Sequence, residues 1–136
     1  MKSSTKITIA ASAILLATAS WAAPTNTHAL TYATTKIFGP TGSANACDPL
    51  QDSVRVGVSA NVVANVACST GNVGIATANF KGRGRVYTVH SAGSIVAEAS
   101  AGSGPGGKYS NEADAVAIVA TRATNIVNIA DSSASN

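Results

Sequence analysis

Two glycine-rich stretches hold most of the residues whose types and spacing suggest chemistry. Gly102-Ser103-Gly104-Pro105-Gly106-Gly107-Lys108-Tyr109 has the spacing G-x-x-x-x-G-K and follows a strand-like segment. A phosphate-binding loop of that form needs backbone N–H groups around the phosphates, a lysine as counter-charge and a Ser or Thr hydroxyl for Mg²⁺. Here Tyr109 stands at the hydroxyl position and Pro105 removes one N–H. The reading is therefore a surface loop, with no nucleotide or other cofactor and no nucleic acid as partner.

Lys81-Gly82-Arg83-Gly84-Arg85 is the one local concentration of charge. In an extended segment bases at i, i+2 and i+4 project from one face. Lys81, Arg83 and Arg85 are therefore candidates for contact with an anionic surface such as lipopolysaccharide or an acidic polysaccharide. A charged edge or solvated turn that discourages strand pairing is the plainer reading of the same residues.

Catalytic groupings are sparse. His90 precedes Ser91, but neither a G-x-S-x-G elbow nor an orienting acid accompanies them. Glu98 reads as an outward strand residue and His28 as an exposed residue of a polar arm. With two histidines and six dispersed acids, the sequence predicts no metal site, no acid–base pair and no catalytic activity. A hydrolase using His90 and an unlocated nucleophile is the remaining enzymatic reading. Cys47 and Cys68 are the two cysteines; without a CxxC or a neighbouring histidine they read as one structural disulfide.

The first residues carry the marks of a secretory signal peptide over 1–22. Lys2 and Lys6 charge its start, 7–19 is uncharged and apolar, and Ser20 and Ala22 sit at −3 and −1 of a cut before Ala23. The apolar run is shorter than the roughly 18 residues a spanning helix needs, and no later stretch reads as a transmembrane segment. Export to the periplasm, cell surface or extracellular space is the expected localisation, in keeping with a disulfide. Without the leader Trp21 is lost and seven of nine bases remain against six acids, so the net charge falls from +3 to +1. A global attraction to polyanions is then weak.

The elements that must position these residues are written mainly in small side chains. The 136 residues are 46% hydrophobic but 4% aromatic and 11% charged, which argues against a coiled coil and against simple disorder. Residues 23–46 read as a polar arm and turn region, 47–131 as a single β-rich domain, and 132–136 as a disordered tail. Val54, Val56 and Val58 alternate with polar or small residues, and 61–68, 73–80, 85–90 and 94–100 continue as strands, the last two as a hairpin around Gly93. The final segment, 111–130, is ambiguous. Its β-branched residues favour strand, whereas Val116, Val119, Ala120, Ala123 and Val127 recur at helical spacing behind an Asn111/Asp114 capping pair. The expected fold is all-β, a small antiparallel sheet or sandwich with one disulfide, with strand preferred for this segment; the alternative is α+β with a C-terminal helix around 112–130.

Burying Val and Ala removes less apolar area than burying Leu or Phe, so a domain of this composition is expected to gain stability from its disulfide and from association. The run Val58-Ser59-Ala60-Asn61-Val62 leading to Cys68 resembles the first-strand pattern of chaperone–usher pilins. It departs from that pattern in lying well inside the chain rather than near the expected mature start, and no matching final strand stands at the C-terminal end. The functional expectation is an exported structural or surface-assembly subunit, pilin-like or filamentous, that associates with itself or a neighbour by strand addition. The alternative is a monomeric extracytoplasmic module that binds an anionic surface through Lys81, Arg83 and Arg85.

Overall fold

A computed structural model describes residues 26–31, 34–91, 93–99 and 102–134. The expected signal peptide, 1–22, lies outside the described residues. Seven strands and one long helix follow in order: β1 (Asn26–Leu30), β2 (Thr35–Phe38), β3 (Val54–Gly57), β4 (Val62–Cys68), β5 (Val73–Asn79), β6 (Arg85–His90), β7 (Val96–Ala99) and α1 (Glu112–Ala134). Five strands form one antiparallel sheet in the order β1-β4-β5-β6-β7, and β2 and β3 form a separate two-stranded ribbon. Part of the polar arm is thus an edge strand of the chain's own sheet, with His28 opposite Val66 and Leu30 opposite Ala64.

The segment for which β-branched content favours strand is helix. Ala115, Val119, Ala123, Ile126, Val127 and Ala130 are its buried residues, a spacing that puts one apolar stripe against the sheet. Intrinsic propensity is a weak prior, and burial of that stripe outweighs the β-branched residues. Asn111 caps the start, its Oδ1 accepting from the Asp114 N–H at 2.9 Å. At the other end the hydroxyls of Ser132 and Ser133 donate to the Ile129 carbonyl at 2.8 and 2.9 Å. Residues 132–134, assigned to a tail by the sequence, therefore belong to the helix. The chain is mostly sheet with one C-terminal helix, as the α+β alternative describes.

Alternation along the strands sorts the core into two layers. Val63, Ala67, Ala76, Ala78 and Val86 face α1. Leu30, Ala64, Val66 and Cys68 face the other way, toward Phe38 and Cys47 beneath the β2–β3 ribbon. β4, central to both, is buried along nearly its whole length.

Small side chains set how close the helix comes. A Cβ on Gly74 would lie 2.6 Å from a Val127 methyl, 2.8 Å from Ile126 Cγ1 and 3.0 Å from the Ala123 carbonyl oxygen. The alanine-rich composition thus builds a short helix-to-sheet distance rather than a depleted core. The far end of α1 is tied down by Asp131, whose Oδ1 accepts from Ser69 Oγ at 2.8 Å and Asn72 Nδ2 at 2.7 Å in the β4–β5 turn.

Candidate functional site

Cys47 and Cys68 form the expected disulfide, with Cα atoms 5.4 Å apart across a separation of 21 residues. Both are fully buried. The bond fastens the loop between β2 and β3 to the end of β4 and so attaches the ribbon to the main sheet.

The basic stretch is bent, not extended. Gly82 N–H donates to the Asn79 carbonyl at 3.0 Å, Lys81 N–H donates to Asn79 Oδ1 at 3.0 Å, and Gly84 has a φ of 69°. The turn these contacts make breaks the period-2 alternation, so Lys81, Arg83 and Arg85 do not share a strand face. All three are exposed, and Arg85 alone lies in a strand. Lys81 Nζ sits 5.6 Å from the centre of the Phe80 ring. The two glycine-rich stretches meet, however: Lys81 and Lys108 both line an open cleft of about 390 Å³ that Phe80, Tyr109 and Glu112 also border.

The Gly102–Lys108 stretch is engaged with itself. Gly104 N–H donates to the Lys108 carbonyl at 2.9 Å and Gly107 N–H to the Gly104 carbonyl at 3.2 Å. Ser103 and Ser110 donate their backbone N–H groups to Asp114 Oδ2, at 3.0 and 2.9 Å, and their hydroxyls at 3.0 and 3.3 Å. These N–H groups are directed inward at a carboxylate and two carbonyls, where a phosphate loop would aim them at its ligand. The Asp114 carboxyl is held below its ordinary value of 3.8 by the Ser110 backbone hydrogen bond first, then that of Ser103, with both hydroxyls adding to the effect.

The Ser91 hydroxyl, next to His90 in sequence, is engaged with the start of β5 and the turn before it. Ser91 Oγ donates to Asn72 Oδ1 at 3.0 Å and accepts from the Val73 N–H at 3.3 Å. His28, expected to be exposed, is half-buried edge-on to Phe38 at 5.4 Å, with Nε2 3.3 Å from the Ala46 carbonyl oxygen. Glu98 does not stand free in solvent: it pairs with Arg122 of α1 at 2.9 Å and accepts from Thr88 Oγ1 at 3.4 Å. Among the described residues no three His, Cys, Asp or Glu side chains come together as metal ligands, and no helix is long and apolar enough to cross a membrane.

A feature that residue types alone do not signal is the β7 side of the sheet. β7 ends the strand order. Ile95, 72% exposed, precedes it, and Val96, 51% exposed, is its first residue. Ile129, 58% exposed, lies two turns along α1 from Arg122, on the same stripe of the helix that meets Glu98. On the opposite face Tyr87 of β6, 47% exposed, is the cross-strand neighbour of Ala97. Three of the six exposed large apolar side chains among the described residues, Ile95, Val96 and Tyr87, thus lie on or beside this edge, whereas isolated ones are ordinary on a protein surface. The sequence signal for it is Ile95-Val96 at the start of a strand whose alternation leaves them no buried layer. Comparison of the chain with protein-family models, curated proteins and solved structures finds no match.

Proposed function

We propose that this chain is an exported structural subunit that assembles with copies of itself or with a neighbour through its sheet edge, without catalytic activity. The observation that carries the reading is the terminal position of β7 in the sheet together with the exposed Ile95 and Val96 at its start. Soluble proteins usually guard such an edge with lysine, proline, a bulge or a covering loop. The sequence of β7, Val-Ala-Glu-Ala, supplies no lysine or proline, and its one charge is paired with Arg122. Export rests on the leader-like sequence of 1–22 and agrees with the buried disulfide. Sizing and negative-stain microscopy of the purified, oxidised mature chain over a rising concentration series test the proposal. Discrete oligomers or filaments are expected, and a strictly monomeric protein at the highest concentration overturns it.

A second reading is favoured by the convergence of Lys81 and Lys108 on one cleft, with Arg83 and Arg85 exposed nearby. In this reading the turn holds an anionic surface weakly, because few cations take part, and salt screens the contact because they are exposed. The triple variant Lys81→Ser, Arg83→Ser, Arg85→Ser should lose retention on heparin or lipopolysaccharide resin. Unchanged retention removes the reading.

A further inference from the structure

We infer that β7 pairs antiparallel with β7 of a second copy of this chain, with Ala97 facing Ala97 across the two-fold axis, so that two five-stranded sheets become one of ten strands. The inference rests on the structural-subunit reading and names its partner. The hydrogen-bonding direction of β7 follows from the ladder. Ser91 N–H donates to the Val73 carbonyl at 2.9 Å, and antiparallel partners alternate between hydrogen-bonded and non-bonded pairs. In the register of this strand pair the bonded pairs of β5 and β6 are then Ile75 with Val89 and Thr77 with Tyr87. Val86 and Thr88 therefore direct their backbone groups to β7, where they meet Glu98 and Val96. The N–H and C=O groups of Ala97 and Ala99 point outward from the sheet.

Charge selects the partner and the register. Glu98 is the one ionisable side chain of β7 and is paired within its own chain with Arg122 at 2.9 Å, so the edge carries little net charge against a second copy, although two such carboxylates set face to face would still repel. A register that set Glu98 against Glu98 would oppose like charges, which is unfavourable in directly facing pairs. Shifting by one residue on each strand sets Ala97 against Ala97, Val96 against Glu98 and Ile95 against Ala99. This register also brings the outward-pointing groups of Ala97 and Ala99 and those of Ile95 into hydrogen-bonded pairs. A two-fold axis normal to the sheet keeps both copies of α1 on one face. Val96 of each copy then flanks the joint on the helix side, and Tyr87 flanks it on the other. The ten-stranded sheet ends in β1 at both sides, so growth past the dimer would have to use β1.

The test uses two full-length mature variants, Ala97→Lys and Ala97→Glu, at a position already exposed. Sedimentation velocity over a concentration series should show a wild-type dimer and, for each variant alone, dimerisation weakened roughly fivefold or more. An equimolar mixture of the two should regain dimer, because Lys then faces Glu in this register and in no other. A wild-type dimer that neither variant weakens, or a mixture that regains nothing, overturns the pairing. If larger assemblies form and the variants leave them intact, the pairing falls and the structural-subunit reading stands. If the dimer forms with recovery on mixing but grows no further, the pairing stands and the structural-subunit reading is confined to a discrete dimer. A wild type that stays monomeric throughout overturns both.

Discussion

The two faces of the five-stranded sheet are closed in different ways. One is covered by α1, a continuous helix of 23 residues seated on Val63, Ala67, Ala76, Ala78 and Val86. Its tightness comes from small side chains and from Gly74, which lets the helix approach the strand backbone. The other face is covered by the β2–β3 ribbon and the loop between its strands, with the large side chains Leu30 and Phe38 and the Cys47–Cys68 bond beneath. A two-stranded ribbon has little cooperative stability of its own. A helix can be held by shape alone, whereas a ribbon and loop need large apolar anchors and a covalent tether.

That contrast can be broken most severely at the tether. Replacing both cysteines by alanine should lower unfolding stability by about 3 kcal/mol, the loop-closure contribution for a crosslink of this span. Denaturant titration measures the loss. Protection of amide hydrogens should fall first in β2 and β3, and last in β4 and β5. If α1 loses protection before the ribbon does, the two faces are not closed independently.

The next largest effect is expected at the helix face. Gly74→Val inserts a branched side chain where a single Cβ would already come within 3 Å of Val127 and Ile126, and overpacking of this kind commonly destabilises by about 1–3 kcal/mol. The disulfide cannot compensate, since it lies on the opposite face. Equal loss from Gly74→Val in the oxidised and reduced proteins would confirm that the two closures act separately, and strongly unequal losses would show that they are coupled.

The smallest effect concerns the entry to α1. The Asp114 carboxylate gathers Ser103 and Ser110 onto the first turn of the helix, and its folded-state pKa lies below its ordinary value of 3.8. A depressed carboxyl stabilises the fold above the unfolded-state pKa, and the contribution disappears as pH falls through the folded-state value. Thermal melting of the wild type should therefore exceed that of Asp114→Asn at neutral pH by a small margin that closes under acid conditions below 3.8. A margin independent of pH would mean that the loop is held by its backbone bonds alone.

Strand segments and the hairpin were legible because alternation over Val73–Asn79 and Arg85–His90 reports burial directly, while Val62–Cys68, buried on both faces, shows as a short valine-rich run. The 111–130 segment shows both a β-branched composition and a helical spacing. Local preference could not choose between them, since the deciding term is burial against a sheet that forms elsewhere in the chain. The basic stretch was legible as charge but not as shape: the turn depends on Asn79, which precedes it, and on the backbone of Gly84. Glu98 and Arg122, 24 positions apart in sequence, gave no local sign of being partners.

By itself the sequence determined the cysteine pairing, the small-residue composition, the leader-like start and the cap of the last segment, all of which depend on neighbours in the chain or on simple counting. Tertiary structure alone decided that this last segment is a helix, that Gly74 and the alanines set its distance from the sheet, and that β7 stands at the edge with Ile95 and Val96 exposed at its start. These depend on which surfaces meet across long sequence separations, and burial between distant segments leaves no mark in a local pattern.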